Sequence, residues 1–386
     1  MKPAVLADRL TADQNPPHVS QSGPSAAAEP TPAEIERAAR SLRDGRLVAF
    51  PTETVYGLGA DATNPQAVAS IFRAKGRPVD HPVIVHLADP VDAGAWTAKL
   101  PASTEQALES LAARFWPGPL TLILPRAERV SDVVTGGQRS VGLRCPAHPV
   151  AQALLRSFSD IVRGEAGNAA AQPMSGIAAP SANRFGRISP TSAQHVRDEF
   201  PDQAGKSLTI LDGGDCPIGI ESTIVDLSRH ESAGAVLLRP GSITAAMLAE
   251  VLGDLPRRSD QTTPRASGTL AAHYAPRTPL FLVSRSALED DVAKEVAVWT
   301  RTCALRSSRW LRAPADAAAY ARVLYDVLRR LDASGASAIL VEAPPDEPEW
   351  AGINDRLRRA AIGSRPSTPL RDRSDSIYSI SQTKRQ

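Results

Sequence analysis

Residues 47–87 read LVAFPTETVYGLGADATNPQAVASIFRAKGRPVDHPVIVHL. An apolar strand, Leu47–Phe50, runs into a polar Thr/Glu/Thr/Tyr/Gly turn and then a helix, which ends in Lys75-Gly76-Arg77-Pro78 before a second strand. The helix carries its own limits. Asn64 can cap it, and Pro65 suits the first helical position. Val68, Ile71 and Phe72 fall at i, i+3 and i+4 and make one buried stripe. Gly76 supplies a left-handed end, and Pro78 stops any restart. Lys75 and Arg77 therefore leave the helix at a fixed exit. Cations there can simply complement the helix dipole. Two of them around a glycine, beside strands that end in polar residues, point to phosphate binding.

Past that exit, alternation puts His86 on the strand face opposite Val83, Val85 and Leu87. A lone strand histidine is more often structural than functional, and only its neighbourhood raises it. Ser140-Val141-Gly142-Leu143-Arg144 is a short strand with polar ends. A guanidinium at the end of a buried strand is placed to grip a carboxylate with two prongs. Ile177-Ala178-Ala179 runs into Pro180-Ser181-Ala182-Asn183, whose small residues admit close approach of a ligand. The bland alternative is a hydrogen-bonded turn with Asn183 left-handed. Leu238 leads to Arg239-Pro240-Gly241, again a strand, a cation and a turn.

Two motifs mislead. Gly57-Leu58-Gly59-Ala60-Asp61-Ala62 matches the loose dinucleotide fingerprint, with Asp80 near the place of a ribose-binding acid. That fingerprint starts its helix inside the glycine turn, whereas Asn64-Pro65 starts it later. Ala204-Gly205-Lys206-Ser207 has the end of a P-loop without its first glycine.

At 386 residues and 42% hydrophobic content, two domains with ordinary cores are expected. No apolar run approaches the roughly eighteen residues of a membrane helix, and no secretory core opens the chain, so a cytoplasmic protein is expected. Cys145, Cys216 and Cys303 are far apart without a CxxC pair, which argues against zinc and disulfides and leaves no metal site. A formal charge of +2 gives little net pull towards nucleic acid. Residues 1–30 read as a disordered tail. A larger domain is expected over 31–255, a linker over 256–279 and a smaller α/β domain over 280–386. The smaller one has strands at 280–283 and 338–341 and helices near 287–296, 316–331 and 350–361. Residues 159–175 lose periodicity and read as a surface loop. Irregularly interspersed helices and polar turns at strand ends argue a twisted mixed sheet, not a regular βαβ repeat.

Several stretches together carry a resemblance. Pro51-Thr-Glu-Thr-Val-Tyr-Gly-Leu-Gly59, Lys75-Gly-Arg-Pro78, Pro117-Gly-Pro-Leu-Thr121 and Ala179-Pro-Ser-Ala-Asn183 stand in the order seen in the YrdC-like threonylcarbamoyl-AMP synthases. Ser189-Pro-Thr191, Glu221-Ser-Thr223 and Leu238-Arg-Pro-Gly241 continue the match. His273-Tyr-Ala-Pro276 and the domain after it look like the long form, whose C-terminal domain is Rossmann-like. The resemblance implies that L-threonine, bicarbonate and ATP give threonylcarbamoyl-adenylate and pyrophosphate. It also implies Mg²⁺ held mainly by the ATP phosphates and a product that passes to the tRNA threonylcarbamoyl transferase machinery, and it leaves room for weak RNA binding.

Carried onto this chain, the family pattern puts Thr54, His86, Arg144, Ala179 and Ser222 around threonine. It puts Lys75, Arg77, His81, Ser140, Ser181, Asn183, Ser189, Arg239 and Tyr274 around ATP, with Lys75 and Arg77 neutralising charge in the reaction. His81 stands where the family usually has Asn, residues 159–175 are longer than usual, and the linker lacks the Lys-Tyr common before its His-Tyr. Two alternatives stand beside this reading. A carbamoyl-adenylate-forming hydrogenase maturation protein would also carry an acylphosphatase-like segment and paired CxxC motifs, and neither is present. A non-catalytic RNA-binding module of the same fold would use a concave basic surface, but no aromatic stripe interleaves with basic residues.

Overall fold

The computed structural model describes residues 29–167, 173–289, 295–302 and 309–365. The tail expected over 1–30 lies almost wholly outside them, as do Cys303 and the end of the chain. The larger of two sheets has ten strands. In chain order these are β1 (Leu47–Phe50), β2 (Gly57–Asp61), β3 (Ile84–His86), β4 (Leu120–Pro125) and β5 (Ser140–Arg144). They continue with β6 (Ile177–Ala178), β7 (Leu208–Ile210), β8 (Thr223–Asp226), β9 (Val236–Arg239) and β10 (Arg257–Arg258). Across the sheet the order is β10-β9-β8-β4-β5-β3-β6-β2-β1-β7, with parallel and antiparallel pairs mixed. The fold class is therefore the expected mixed α/β.

The fingerprint-like glycines lie in a strand, not in the expected turn. β2 pairs antiparallel with β1, with Val48 opposite Gly59. At Gly59 a Cβ would stand 2.8 Å from both Ile177 Cγ2 and Phe50 Cε1. These glycines serve close packing across the sheet, and no phosphate-binding turn exists here.

The Pro65–Lys75 helix has the anticipated ends: Asn64 accepts from the backbone N–H groups of Gln66 and Ala67, and Gly76 is left-handed at φ 63°. Its Val68, Ile71 and Phe72 share one core cluster with Val85 and Leu87. His86 faces the other way, as the alternation requires. The helices Pro32–Arg43 and Pro149–Ala166 cover another part of the sheet, packing Ala38, Leu42, Leu154 and Phe158 on Val48, Phe50 and Ile177. Residues 159–166 are thus helix and not loop. The misleading residue is Ser159, buried and polar, whose hydroxyl bonds Ser175 Oγ at 2.7 Å and so occupies a core position without breaking the helix.

The second sheet holds β11 (Leu280–Val283), β12 (Val296–Thr300), β13 (Trp310–Arg312) and β14 (Ala338–Glu342), all parallel in the order β11-β14-β12-β13. Of the helix expected over 287–296, Ser286–Glu289 is helical and 290–294 lie outside the described residues. Val296 already opens a strand, because Val-Ala-Val-Trp-Thr lies between two strands and is buried at every position. The helices Ala317–Asp332 and Ala351–Gly363 pack on this sheet and also meet the first domain. Val55, Ile188 and Ile220 share an apolar cluster with Leu324, Tyr325 and Leu357. The stretch between the sheets is no free spacer. Arg257–Arg258 pairs with β9, and Ala266 is buried with Ile84, Ile123 and Leu238.

Gly59→Ala should destabilise the chain by about 1–3 kcal/mol, the scale of overpacking in a tight core. Urea unfolding checks this, and an unchanged midpoint would mean that Phe50 and Ile177 yield freely.

Candidate functional site

A small cavity of about 50 Å³, room for a few waters, lies where the ends of β1, β3, β5, β6, β8 and β9 converge under the linker. One wall is built on Arg144. The turn after β1 is folded by Thr52, whose Oγ1 accepts from the N–H groups of Thr54 and Val55 and donates to the Val55 carbonyl at 2.7 Å. That fold aims Thr54 Oγ1 at Arg144 Nη1, 2.9 Å away. Arg144 Nη2 donates to Glu53 Oε1 at 2.6 Å, and its Nε donates to the Gly118 carbonyl. A guanidinium has five N–H groups, so one remains on each terminal nitrogen, a fork for a carboxylate. His86 stands opposite Arg144 on the paired strand.

The other wall is cationic. Lys75 Nζ donates to the Ser181 and Asn183 carbonyls, each at 2.5 Å. Arg77 Nη2 donates to the Pro82 carbonyl at 2.8 Å and to Ser267 Oγ at 3.3 Å. Arg239 donates from Nε and Nη2 to the Ser222 carbonyl, and from Nη1 to the Ser267 carbonyl at 2.8 Å. All three are buried, and among the described residues none has a carboxylate within ion-pair distance. Burial, with Arg77 alongside, drives the Lys75 amine well below its usual range. Burial likewise lowers Arg77, to about 10, and Arg239. An anion entering here would reverse both effects.

The linker closes the cavity with Ser267, Gly268, His273 and Tyr274. Tyr274 adopts a left-handed backbone at φ 60°, and Gly268 is also left-handed at φ 74°. A Cβ at Gly268 would overlap Tyr274 Oη and press on Arg239, so no larger residue fits. Four buried polar atoms of the lining residues have no hydrogen-bond partner: Arg77 Nε, His86 Nδ1, Asn183 Oδ1 and His273 Nδ1.

The cavity gathers Thr54, Lys75, Arg77, His86, Arg144, Ala179, Ser181, Asn183, Ser222, Arg239 and Tyr274. Three residues expected at the site do not line it. Ser189 Oγ is committed to Glu221 Oε1 at 2.5 Å. His81 sits behind Phe185, ring centroids 5.5 Å apart, and Ser140 is buried at the start of β5 beside Pro125. Sequence reasoning missed Glu53, Phe185, Ser267 and Gly268. Glu53 stands in the Thr-Glu-Thr turn, but its pairing with Arg144 spans 91 positions and has no local signal.

Comparison with known proteins decides the family. The Sua5/YciO/YrdC family, described as telomere recombination, matches residues 40–241. The threonylcarbamoyl-AMP synthase C-terminal domain matches 243–362. The chain is 38% identical to the threonylcarbamoyl-AMP synthase of Pyrococcus abyssi, over 85% of this chain and 94% of the relative. The Bacillus subtilis protein of that name is 37% identical, over 86% and 93%. The chain belongs to the threonylcarbamoyl-AMP synthase family. It is an enzyme of that family, and it also matches the crystal structure of P. abyssi Sua5 complexed with L-threonine, with a TM-score of 0.75 and 37% identity over 86% of this chain and 96% of that one. Among the described residues no helix is long and apolar enough to cross a membrane.

Burial, with Arg144 beside it, pushes the His86 imidazole down to about 3. Burial first, then the three cations against an opposing Glu221, carries His273 down to about 3 as well. In this enzyme family member both rings are thus neutral when folded. Below the ordinary value of 6.5 the unfolded chain takes up protons that the folded chain refuses, so stability should fall as pH drops from about 6.5 towards 3. Urea midpoints at about pH 7 and about pH 5 measure this. The drop should shrink in His86→Asn/His273→Asn, and an equal drop in that variant would assign the effect to other groups.

Proposed function

We propose that the chain condenses L-threonine, bicarbonate and ATP into threonylcarbamoyl-adenylate, releasing pyrophosphate, and that the adenylate feeds threonylcarbamoylation of tRNA by a separate transferase. The observation that carries this is the buried trio Lys75, Arg77 and Arg239, with no carboxylate partner among the described residues, beside a guanidinium fork at Arg144. Uncompensated buried cations are expensive unless an anion completes them. A triphosphate next to an amino-acid carboxylate is a ligand pair of matching charge. The unpartnered polar atoms on the lining fit the same reading, since buried polar groups are normally satisfied.

In this reading the threonine carboxylate takes the two free N–H groups of Arg144, near Thr54, His86, Ala179 and Ser222. The neutral threonine amine bonds the carbon of bicarbonate, and its proton leaves with the bicarbonate hydroxyl as water, which gives a carbamate. A carbamate oxygen then attacks the α-phosphorus, and the bond to pyrophosphate breaks. No protein nucleophile enters. Lys75, Arg77 and Arg239 neutralise the phosphates and align them, with Ser181, Asn183 and Tyr274 bordering the nucleotide. Mg²⁺ fits as a passenger of the nucleotide. Among the described residues the only carboxylate lining the cavity, Glu221, already accepts from Ser189, Tyr325 and Arg356, so phosphate oxygens and water would ligate the ion and the ion would offset triphosphate charge. In this reading the segment bearing Ser267 and Tyr274, which borders the cavity, shifts as ATP enters. That the relatives bear the synthase name, and that one was crystallised with L-threonine, supports the substrates.

Pyrophosphate release from ATP and bicarbonate should depend on L-threonine, and Lys75→Ala should reduce it about a hundredfold or more, the scale of one preorganised charge. Release that ignores threonine would overturn the assignment.

A further inference from the structure

Two side chains of the second domain end against the first domain's site. Arg356, 1% exposed, donates from Nε to Glu221 Oε2 at 2.8 Å and from Nη2 to the Glu221 carbonyl at 3.1 Å. Its Nη1 donates to the Pro240 carbonyl at 2.7 Å. Tyr325 Oη donates to the same Glu221 oxygen at 2.9 Å. The guanidinium of Arg356 also lies 5.4 Å from the ring centroid of Tyr274, which stacks on Tyr325 at 5.7 Å.

Chain adjacency makes these contacts more than an interface. Glu221 immediately precedes Ser222, and Pro240 immediately follows Arg239. Ser222 and Arg239 are themselves locked together: the Ser222 carbonyl takes Arg239 Nε and Nη2, and Ser222 Oγ lies 3.1 Å from Nη2 and 2.8 Å from Thr121 Oγ1. Arg356 therefore holds the outer ends of both site residues at once. Gly352, one turn earlier on the same helix, lets it come this near, since a Cβ there would stand 3.2 Å from Gly241 Cα. A plain domain-cementing ion pair would need only the carboxylate. It would not need two backbone carbonyls flanking the site.

We propose that Arg356 and Tyr325 are positioning residues: from outside the cavity they set Ser222 and Arg239, so the first domain's site is complete only with the second domain docked. For its substrates this rests on the function proposed above. In the full-length chain, Tyr325→Phe leaves the Glu221–Arg356 pair intact and removes one hydrogen bond. It should lower the melting temperature by a few degrees at most while KM for ATP and for L-threonine rises about tenfold. Arg356→Gln should raise both further, and Glu221→Gln/Arg356→Gln should recover part of the loss, because the paired amides leave no lone buried charge. A merely structural role would lower the active fraction, seen as reduced kcat with both KM values unchanged, and that result in either single variant overturns the inference. Absence of threonine-dependent release in the unaltered chain would instead sink the proposed function, and the inference with it.

Discussion

Lys75, Arg77 and Arg239 are buried beside one cavity and held by carbonyl oxygens, and this desolvated positive charge governs how the surrounding chain is arranged. Carbonyls of Ser181, Asn183, Pro82, Ser222 and Ser267 supply partial negative charge where a carboxylate would otherwise sit. Such oxygens can be aimed inward only where strands stop, because within a ladder they are already paired. The turns after β6 and before β8, which carry Ser181, Asn183 and Ser222, meet that need. A full carboxylate at the same points would neutralise the cations permanently and leave nothing for a polyanion.

The paired cations behave differently. Arg144 is matched by Glu53, and Arg356 by Glu221 and Asp355. Burial alone would raise the Glu221 carboxyl, but Arg356 and Arg239 outweigh it and hold it down near 2, so it stays ionised. Removing one member of such a pair leaves a stranded charge, at roughly 3–5 kcal/mol. These pairs therefore lend rigidity, whereas the trio, which has no carboxylate partner among the described residues, leaves charge that an anion would complete. The two sets touch at Ser222, which is why the Glu221-Ser222 peptide bears so much of the site's geometry.

How much of this could be read from residues alone depends on distance along the chain. The Asn64-Pro65 start, the Gly76 stop, the cation pair at that stop and the facing of His86 are local, and the structure has them as read. Ser159 misleads because hydrophobic periodicity treats a buried, hydrogen-bonded serine as a break. Val296 misleads because a fully buried strand shows no alternation. Gly57 and Gly59 look like a phosphate turn because a glycine needed for sheet packing and one needed for a turn are the same letter. Pairings such as Glu53 with Arg144, or Tyr325 with Glu221, join distant residues and have no local mark. Ser189 shows the converse: a residue at a motif position can face a carboxylate and not the cavity.

The linker's place in the closed state follows from the same electrostatics. Ser267 offers its carbonyl to Arg239 and its hydroxyl to Arg77, bridging the two cations that a triphosphate would bridge. Its own hydroxyl is also tied to the Pro82 carbonyl at 2.9 Å. Ser267's neutral oxygens take single bonds from these guanidiniums, whereas a phosphate group brings full negative charge and can accept two N–H groups at once. Phosphate oxygens and Ser267 would therefore compete for the same two guanidiniums, and Ser267 belongs to the segment that carries the left-handed residues Gly268 and Tyr274. The second domain holds the far side of that segment, where Arg359 donates to the Thr269 and Leu270 carbonyls. The linker is thus tied to a helix of the second domain on one side and to Arg77 and Arg239 on the other, and a ligand that takes those two guanidiniums would free one of its two anchorages.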